Sequence, residues 1–147
     1  MMLATWNVRS LYRPGALAKL KGELNKYGIA ITAVQEIRWS GSEIFDSGDF
    51  IVCCCGNKER RQFGTGFLIN KKYKHIIMGF SPETDRTCSL RIRGVFFNTT
   101  IICVHVPKEE EDEMQEDDFY EDLERIYRIF TSLIRTSSCR FLKRKKS

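Results

Sequence analysis

Three short apolar runs, far apart in the chain, each end in a polar side chain capable of chemistry. Leu3-Ala4-Thr5-Trp6-Asn7 closes on an amide, Ile29-Ala30-Ile31-Thr32-Ala33-Val34-Gln35-Glu36 on a carboxylate, and Ile101-Ile102-Cys103-Val104-His105 on an imidazole. Runs this short and rich in β-branched residues suit strands buried on both faces. A sheet built from such strands delivers the residues at their C-terminal ends to one rim. The chain therefore reads as an α/β protein with a site at a sheet edge.

The connecting segments fit that frame. Arg13-Pro14-Gly15 breaks the first run, and Leu17, Leu20, Leu24 and Tyr27 follow at helical spacing, with Gly28 as the stop. Strand, helix, strand is the layout of a right-handed crossover. From about Phe50 to Val106, short apolar runs alternate with Gly, Asn, Pro and Asp, which predicts an antiparallel meander with turns at Asn70-Lys71-Lys72 and Arg93-Gly94. After Pro107 a second helix is expected, with Phe119, Leu123, Ile126, Tyr127, Phe130 and Ile134 on one stripe. Residues 136–147 have no period and read as a loose basic tail, leaving 1–135 as the single domain.

Composition narrows the function classes. No apolar run approaches the roughly 20 residues that a membrane helix needs, and the N-terminus enters a strand at once instead of a signal-peptide pattern. The expectation is an intracellular protein, nuclear or cytoplasmic and not secreted, with Lys143-Arg144-Lys145-Lys146 a short candidate import signal. Six cysteines show no C-x-x-C spacing, and the consecutive Cys53, Cys54 and Cys55 would face alternate sides of a strand. They read as free thiols packed as small apolar residues in a reducing compartment. Charge is unevenly spread: eleven of the nineteen acids lie between Glu109 and Glu124, so the remaining eight face 24 basic residues, a net of +16 behind the overall +5. A body that basic suits a polyanion such as nucleic acid.

The runs Thr5-Trp6-Asn7-Val8-Arg9-Ser10-Leu11, Gln35-Glu36-Ile37-Arg38-Trp39, Gly64-Thr65-Gly66-Phe67-Leu68-Ile69-Asn70-Lys71-Lys72 and Val104-His105-Val106-Pro107 stand in an order and spacing that resembles the endonuclease/exonuclease/phosphatase superfamily. The resemblance is closest to the apurinic-endonuclease-like domain of non-LTR retrotransposons. It implies a partial four-layer α/β sandwich of the DNase I-like type, two sheets face to face with helices outside. By resemblance, Glu36 matches the carboxylate that binds the catalytic Mg²⁺ (or Mn²⁺) and Asn7 the amide beside it. His105 falls where relatives place a residue touching the scissile phosphate, and Arg86 where some hold a flanking phosphate. Arg9, Arg38 and Trp39 extend these motifs towards DNA: guanidinium groups grip phosphate bidentately and an indole can stack on a base. Gly64 and Gly66 lack the Lys-Ser/Thr and following helix of a phosphate loop, and read as strand glycines that admit close backbone approach.

The resemblance also implies motifs that do not occur. Relatives position the attacking water with an Asp in a Gly-Asp-x-Asn run after the helix that follows Val-His-x-Pro, and supply a further His from a later Asp-His pair. Neither occurs in these 147 residues. Losing several members of one catalytic unit costs orders of magnitude in rate. The expected function is thus a Mg²⁺-dependent DNA endonuclease domain of retrotransposon origin, truncated and inactive alone, with a non-catalytic nucleic-acid-binding or protein-interaction role as the alternative. DNA is the expected partner, with no membrane and no small-molecule cofactor. The second sheet is expected to be largely missing, leaving an apolar sheet face open to a protein partner.

Overall fold

A computed structural model of the chain describes residues 2–8, 14–38, 41–56, 64–84, 86–105, 117, 121, 123–125 and 139–142. β1 (Leu3–Asn7) leads through helix α1 (Ala16–Tyr27) to β2 (Ile31–Gln35), and β1 and β2 pair in parallel, as the strand-helix-strand reading predicts. Gly28 ends α1 in the left-handed conformation at φ 64°, its N–H returning to the last turn. Of the helical stripe, Leu20 and Leu24 are buried, whereas Tyr27 is exposed at the end of the helix.

The first sheet continues with β3 (Glu43–Ser47), β4 (Phe50–Cys55) and β5 (Thr65–Asn70), in the order β1-β2-β5-β4-β3. The second contains β6 (Ile77–Thr84), β7 (Thr87–Ile92) and β8 (Thr99–Val104) as an antiparallel meander, with β9 (Cys139–Leu142) parallel to β8. The fold class is as expected: a mixed α/β layering in which the second sheet is the smaller.

That smaller sheet nevertheless covers the inner face of the first. Ile31, Ala33, Ile51, Cys53, Phe67 and Ile69 of the first sheet form one apolar cluster with Cys88, Leu90, Ile92, Ile101 and Cys103 of the second. The expected open sheet face is therefore corrected: β7 and β8 supply enough apolar side chains on one side to close it. A second cluster joins Leu20 and Leu24 of α1 to Val34, Phe50, Val52, Cys54 and Leu68 on the other face of the first sheet. Helix, sheet and sheet are the three layers among the described residues. The cysteine triplet obeys the strand alternation: Cys53 and Cys55 face the inter-sheet core and Cys54 faces the helix.

Several local expectations change. Asn70 does not open a simple turn; its side chain accepts the Lys72 N–H and starts a 3-10 helix at Lys71–Ile76, so that β6 begins only at Ile77. After the expected turn at Arg93-Gly94 the next strand begins only at Thr99, and Val95, Phe96 and Phe97 are exposed. Gly94 explains this: a Cβ there would lie 2.0 Å from the Phe97 carbonyl oxygen, so the chain folds back tightly before β8 begins. β3 shows no clear alternation because it is a mostly exposed edge strand. β6 tolerates Pro82 because it too lies at a sheet edge, with a register shift between Pro82 and Thr84. The tail read as loose contains β9, which pairs with the otherwise open edge of β8. Asp117, Glu121 and residues 123–125 have helical backbone, while the rest of the expected stripe (Phe119, Ile126, Tyr127, Phe130 and Ile134) lies outside the described residues.

Candidate functional site

Gln35 fixes how the two sheets meet at the rim. It is the last residue of β2, pairs in register with Asn7 and is almost wholly buried. Its side-chain amide donates to Thr5 Oγ1 of β1 at 3.0 Å and to Cys103 Sγ of β8 at 3.4 Å. The Cys103 thiol in turn donates to the Val34 carbonyl at 3.4 Å. Beyond these links, the carbonyl of Gln35 receives the Val8 N–H at 3.0 Å, so the Asn7–Val8 peptide lies beside the peptide that leads into Glu36. The C-terminal ends of β1, β2 and β8 thus coincide, two from one sheet and one from the other.

Glu36 and His105 follow directly from β2 and β8, and they meet. Glu36 Oε1 lies 3.4 Å from His105 Nε2, with side-chain exposures of 6% and 2%. The other carboxylate oxygen, Oε2, is 3.9 Å from the guanidinium of Arg38, whose side chain is half exposed. Arg86 sits immediately before β7 and is also buried: its carbonyl receives the His105 N–H at 2.8 Å, and its Nη1 donates to the His105 carbonyl at 3.5 Å. An acid, an imidazole and two guanidinium groups therefore gather at one end of the sandwich. Asn7 is brought to the same end by register. Arg9 and Trp39 lie outside the described residues.

The backbone at this rim is unusual. Glu36 and Arg38 both have φ of 56°, the only non-glycine residues with positive φ among those described. The left-handed region costs an L-residue roughly 1–2 kcal/mol, and such outliers persist where the surroundings over-determine them. Between them Ile37 is buried, with its N–H donating to the Gly64 carbonyl at 3.3 Å. A Cβ at Gly66 would sit 2.8 Å from Ile37 Cδ1 and 2.2 Å from the Cys53 carbonyl oxygen, and one at Gly64 3.2 Å from the Arg38 nitrogen. The close approach expected of these glycines is present, and its object is the segment after Glu36. Sequence reading missed the structural part of Gln35; the one signal was a polar residue closing a run otherwise buried on both faces.

Behind the site lies a set of thiols. Cys88 and Cys103 are direct partners across β7 and β8, and Cys55 donates to the Thr84 carbonyl at 3.0 Å. Burial pushes the Cys88 thiol well above its ordinary value, reinforced by its Cys103 neighbour. Burial likewise pushes Cys53 up to about 12 and Cys54 up to about 11. Cys53, Cys54 and Cys88 pack as neutral thiols.

As a donor set for a divalent cation, the rim offers the hard oxygens of Glu36 with the amide of Asn7 close in register. That fits Mg²⁺, which keeps several waters and takes one or two carboxylates. It does not form a closed cage: among the described residues no three His, Cys, Asp or Glu side chains gather as metal ligands.

No protein-family model matches the chain. It is 35% identical over 127 residues to Craniofacial development protein 2 of Tragulus javanicus, covering 86% of this chain but 22% of that protein. Among solved structures, the endonuclease domain of TRAS1, a telomere-specific non-LTR retrotransposon, aligns with a TM-score of 0.56 and 17% identity over 86% of this chain and 52% of that one. An AP endonuclease from Archaeoglobus fulgidus aligns with a TM-score of 0.62 and 19% identity, covering 96% of this chain and 56% of that one. The chain thus spans about a fifth of its curated relative and about half of these structures. Its fold is similar to that of the DNase I-like apurinic and retrotransposon endonucleases.

Proposed function

We propose that this chain is the N-terminal portion of a divalent-cation-dependent phosphodiester endonuclease domain, acting on DNA, and that these 147 residues alone do not hydrolyse it. The observation that carries the reading is the meeting of Glu36 and His105 across two sheets, with the carboxylate held in a strained backbone conformation. Glu36 would hold Mg²⁺ or Mn²⁺, with Asn7 orienting its waters. The cation's contribution when bound is to polarise a phosphoryl oxygen and offset developing negative charge. Arg38 at the mouth offers a guanidinium to a flanking phosphate; the resemblance gives Arg9 the same role and Trp39 that of stacking on a base. Arg86 holds the backbone of His105 in place, and its buried position makes it a support for the imidazole as well as a source of positive potential. His105, behind Glu36, orients the carboxylate and can carry a proton at Nε2.

The residues that would position and activate the attacking water are not among those present, which supports inactivity of this chain by itself. The test is Mn²⁺ binding by electron paramagnetic resonance, alongside cleavage of supercoiled and abasic DNA in Mg²⁺. The expected outcome is measurable binding, lost in Glu36→Gln, without cleavage. Robust cleavage abolished by Glu36→Ala would overturn the inactivity, and Mn²⁺ affinity indifferent to Glu36→Gln would overturn the cation site. The net +16 outside the acidic segment supports a second reading, a non-catalytic nucleic-acid binder. Its signature would be DNA affinity that falls steeply with salt and does not respond to chelation.

A further inference from the structure

We propose that Ile37, seated in the space left by Gly64 and Gly66, is a positioning residue: it locks Glu36 in the left-handed conformation that turns its carboxylate to His105. The proposal rests on Glu36 being the working carboxylate of the site.

The geometry is that of an anchor between two strained residues. Ile37 is 1% exposed and belongs to the apolar cluster beneath α1, with Val34, Val52 and Leu68. Its Cδ1 occupies the place that a side chain at Gly66 would need, and its N–H is tied to the Gly64 carbonyl. Glu36 and Arg38, on either side, both take φ of 56°. A chain leaving β2 in extended conformation would send residues 36 and 37 to opposite faces on the strand alternation. Here the left-handed turn at Glu36 lets Ile37 enter the core while the carboxylate stays at the rim, 3.4 Å from His105 Nε2 and 3.9 Å from Arg38. The burial of Ile37 holds the turn, and the two glycines are what make that burial possible. Gly64 is the more direct control, because its added Cβ would press on the Arg38 nitrogen at 3.2 Å and on Ile37 Cβ at 3.4 Å.

The experiment uses the full chain and Gly64→Ala, with Gly48→Ala as a matched control: Gly48 also has positive φ, at 60°, and the nearest atom to its Cβ is Lys21 Nζ, at the ordinary contact distance of 3.4 Å. Two readouts are taken: the nuclear Overhauser contact between the His105 ring and the Glu36 γ-methylene, and Mn²⁺ affinity. Both variants should lose thermal stability. Only Gly64→Ala should lose the Overhauser contact and bind Mn²⁺ at least tenfold more weakly. Gly64→Asn, which tolerates positive φ but keeps a Cβ, should behave as Gly64→Ala. Retention of the contact in Gly64→Ala, its loss in Gly48→Ala, or its rescue in Gly64→Asn would each overturn the proposal. Should Gly64→Ala fail to fold, Ile37→Val removes only the Cδ1 that fills the Gly66 site; it should weaken the contact and Mn²⁺ binding about threefold, and unchanged values would overturn the anchor. Loss of the Overhauser contact in Gly64→Ala, with Mn²⁺ binding indifferent to Glu36→Gln, leaves the anchor standing and removes the cation reading instead.

Discussion

Replacing Glu36 by glycine and by alanine should give stabilities in the reverse of the usual order. Both substitutions delete the carboxylate, its 3.4 Å approach to His105 and its 3.9 Å approach to Arg38, so those losses cancel in the comparison. What remains is the backbone. In ordinary strand or helix positions glycine is less stable than alanine by about 0.5–1 kcal/mol, because it loses more freedom on folding. At φ of 56° alanine retains the left-handed cost of roughly 1–2 kcal/mol and glycine does not. The net is about 1 kcal/mol in favour of Glu36→Gly, or about 3 °C in midpoint for a chain of this size. Urea and thermal unfolding followed by far-UV circular dichroism measure the difference. Ala33→Gly, in the buried middle of β2, is the control and should show the ordinary sign. If Glu36→Ala proves as stable as Glu36→Gly, position 36 is not held in the left-handed region and the account of the rim is wrong.

Three further outcomes follow from the same contacts. Gly66→Ala forces a Cβ to within 2.2 Å of the Cys53 carbonyl oxygen, so β4 and β5 must part locally; overpacking of this kind costs about 1–3 kcal/mol or more, and an unchanged urea midpoint would contradict the packing. Gln35→Ala removes the amide that links β1, β2 and β8 and should cost about 1–3 kcal/mol, with hydrogen exchange accelerating in β1 before β4; uniform protection would count against a tie at the rim. The Cys53 thiol is raised by burial, then by Cys54, from 9.0 to about 12. Its folded value lies above its unfolded one, so its stabilising effect is complete below pH 9 and declines as pH rises towards 12. The decline is about 1.4 kcal/mol per pH unit within that window. Cys53→Val should flatten the alkaline loss of stability, and parallel curves for the two proteins would refute the burial argument.

Periodicity carried most of the architecture. The buried β-branched run of β2, the Leu20/Leu24 spacing of α1 and the stop at Gly28 were legible because each is a local pattern with a local cause. The elements that were not legible depend on partners distant in sequence. β3 is an exposed edge with little alternation, so only its pairing with β4 identifies it. β9 pairs with β8 from more than thirty residues away. The coverage of the first sheet by the second could not be counted from the sequence, since it depends on which side chains of β7 and β8 face inward. At the site, the residue types at the strand ends and their gathering at one rim were readable; that His105 arrives there from a second sheet was not, and the links through Gln35 and Cys103 establish it.

The least legible feature is also the one that separates the site from the scaffold. Glu36 is buried, yet it belongs to neither apolar cluster, and its carboxylate faces His105 and Arg38 instead of packing against aliphatic side chains. A glycine there would relieve the backbone without disturbing either core, because Ile37, not Glu36, fills the space beside Gly66. Buried carboxylates are costly unless they are paired, and a left-handed backbone adds to that cost. The fold therefore gains little from an acid at this position. What the acid supplies is localised negative charge at the meeting point of two sheets, with a cationic side chain at the mouth and an imidazole behind. That combination has a use in binding a cation or an anionic backbone and little use in holding the sandwich together.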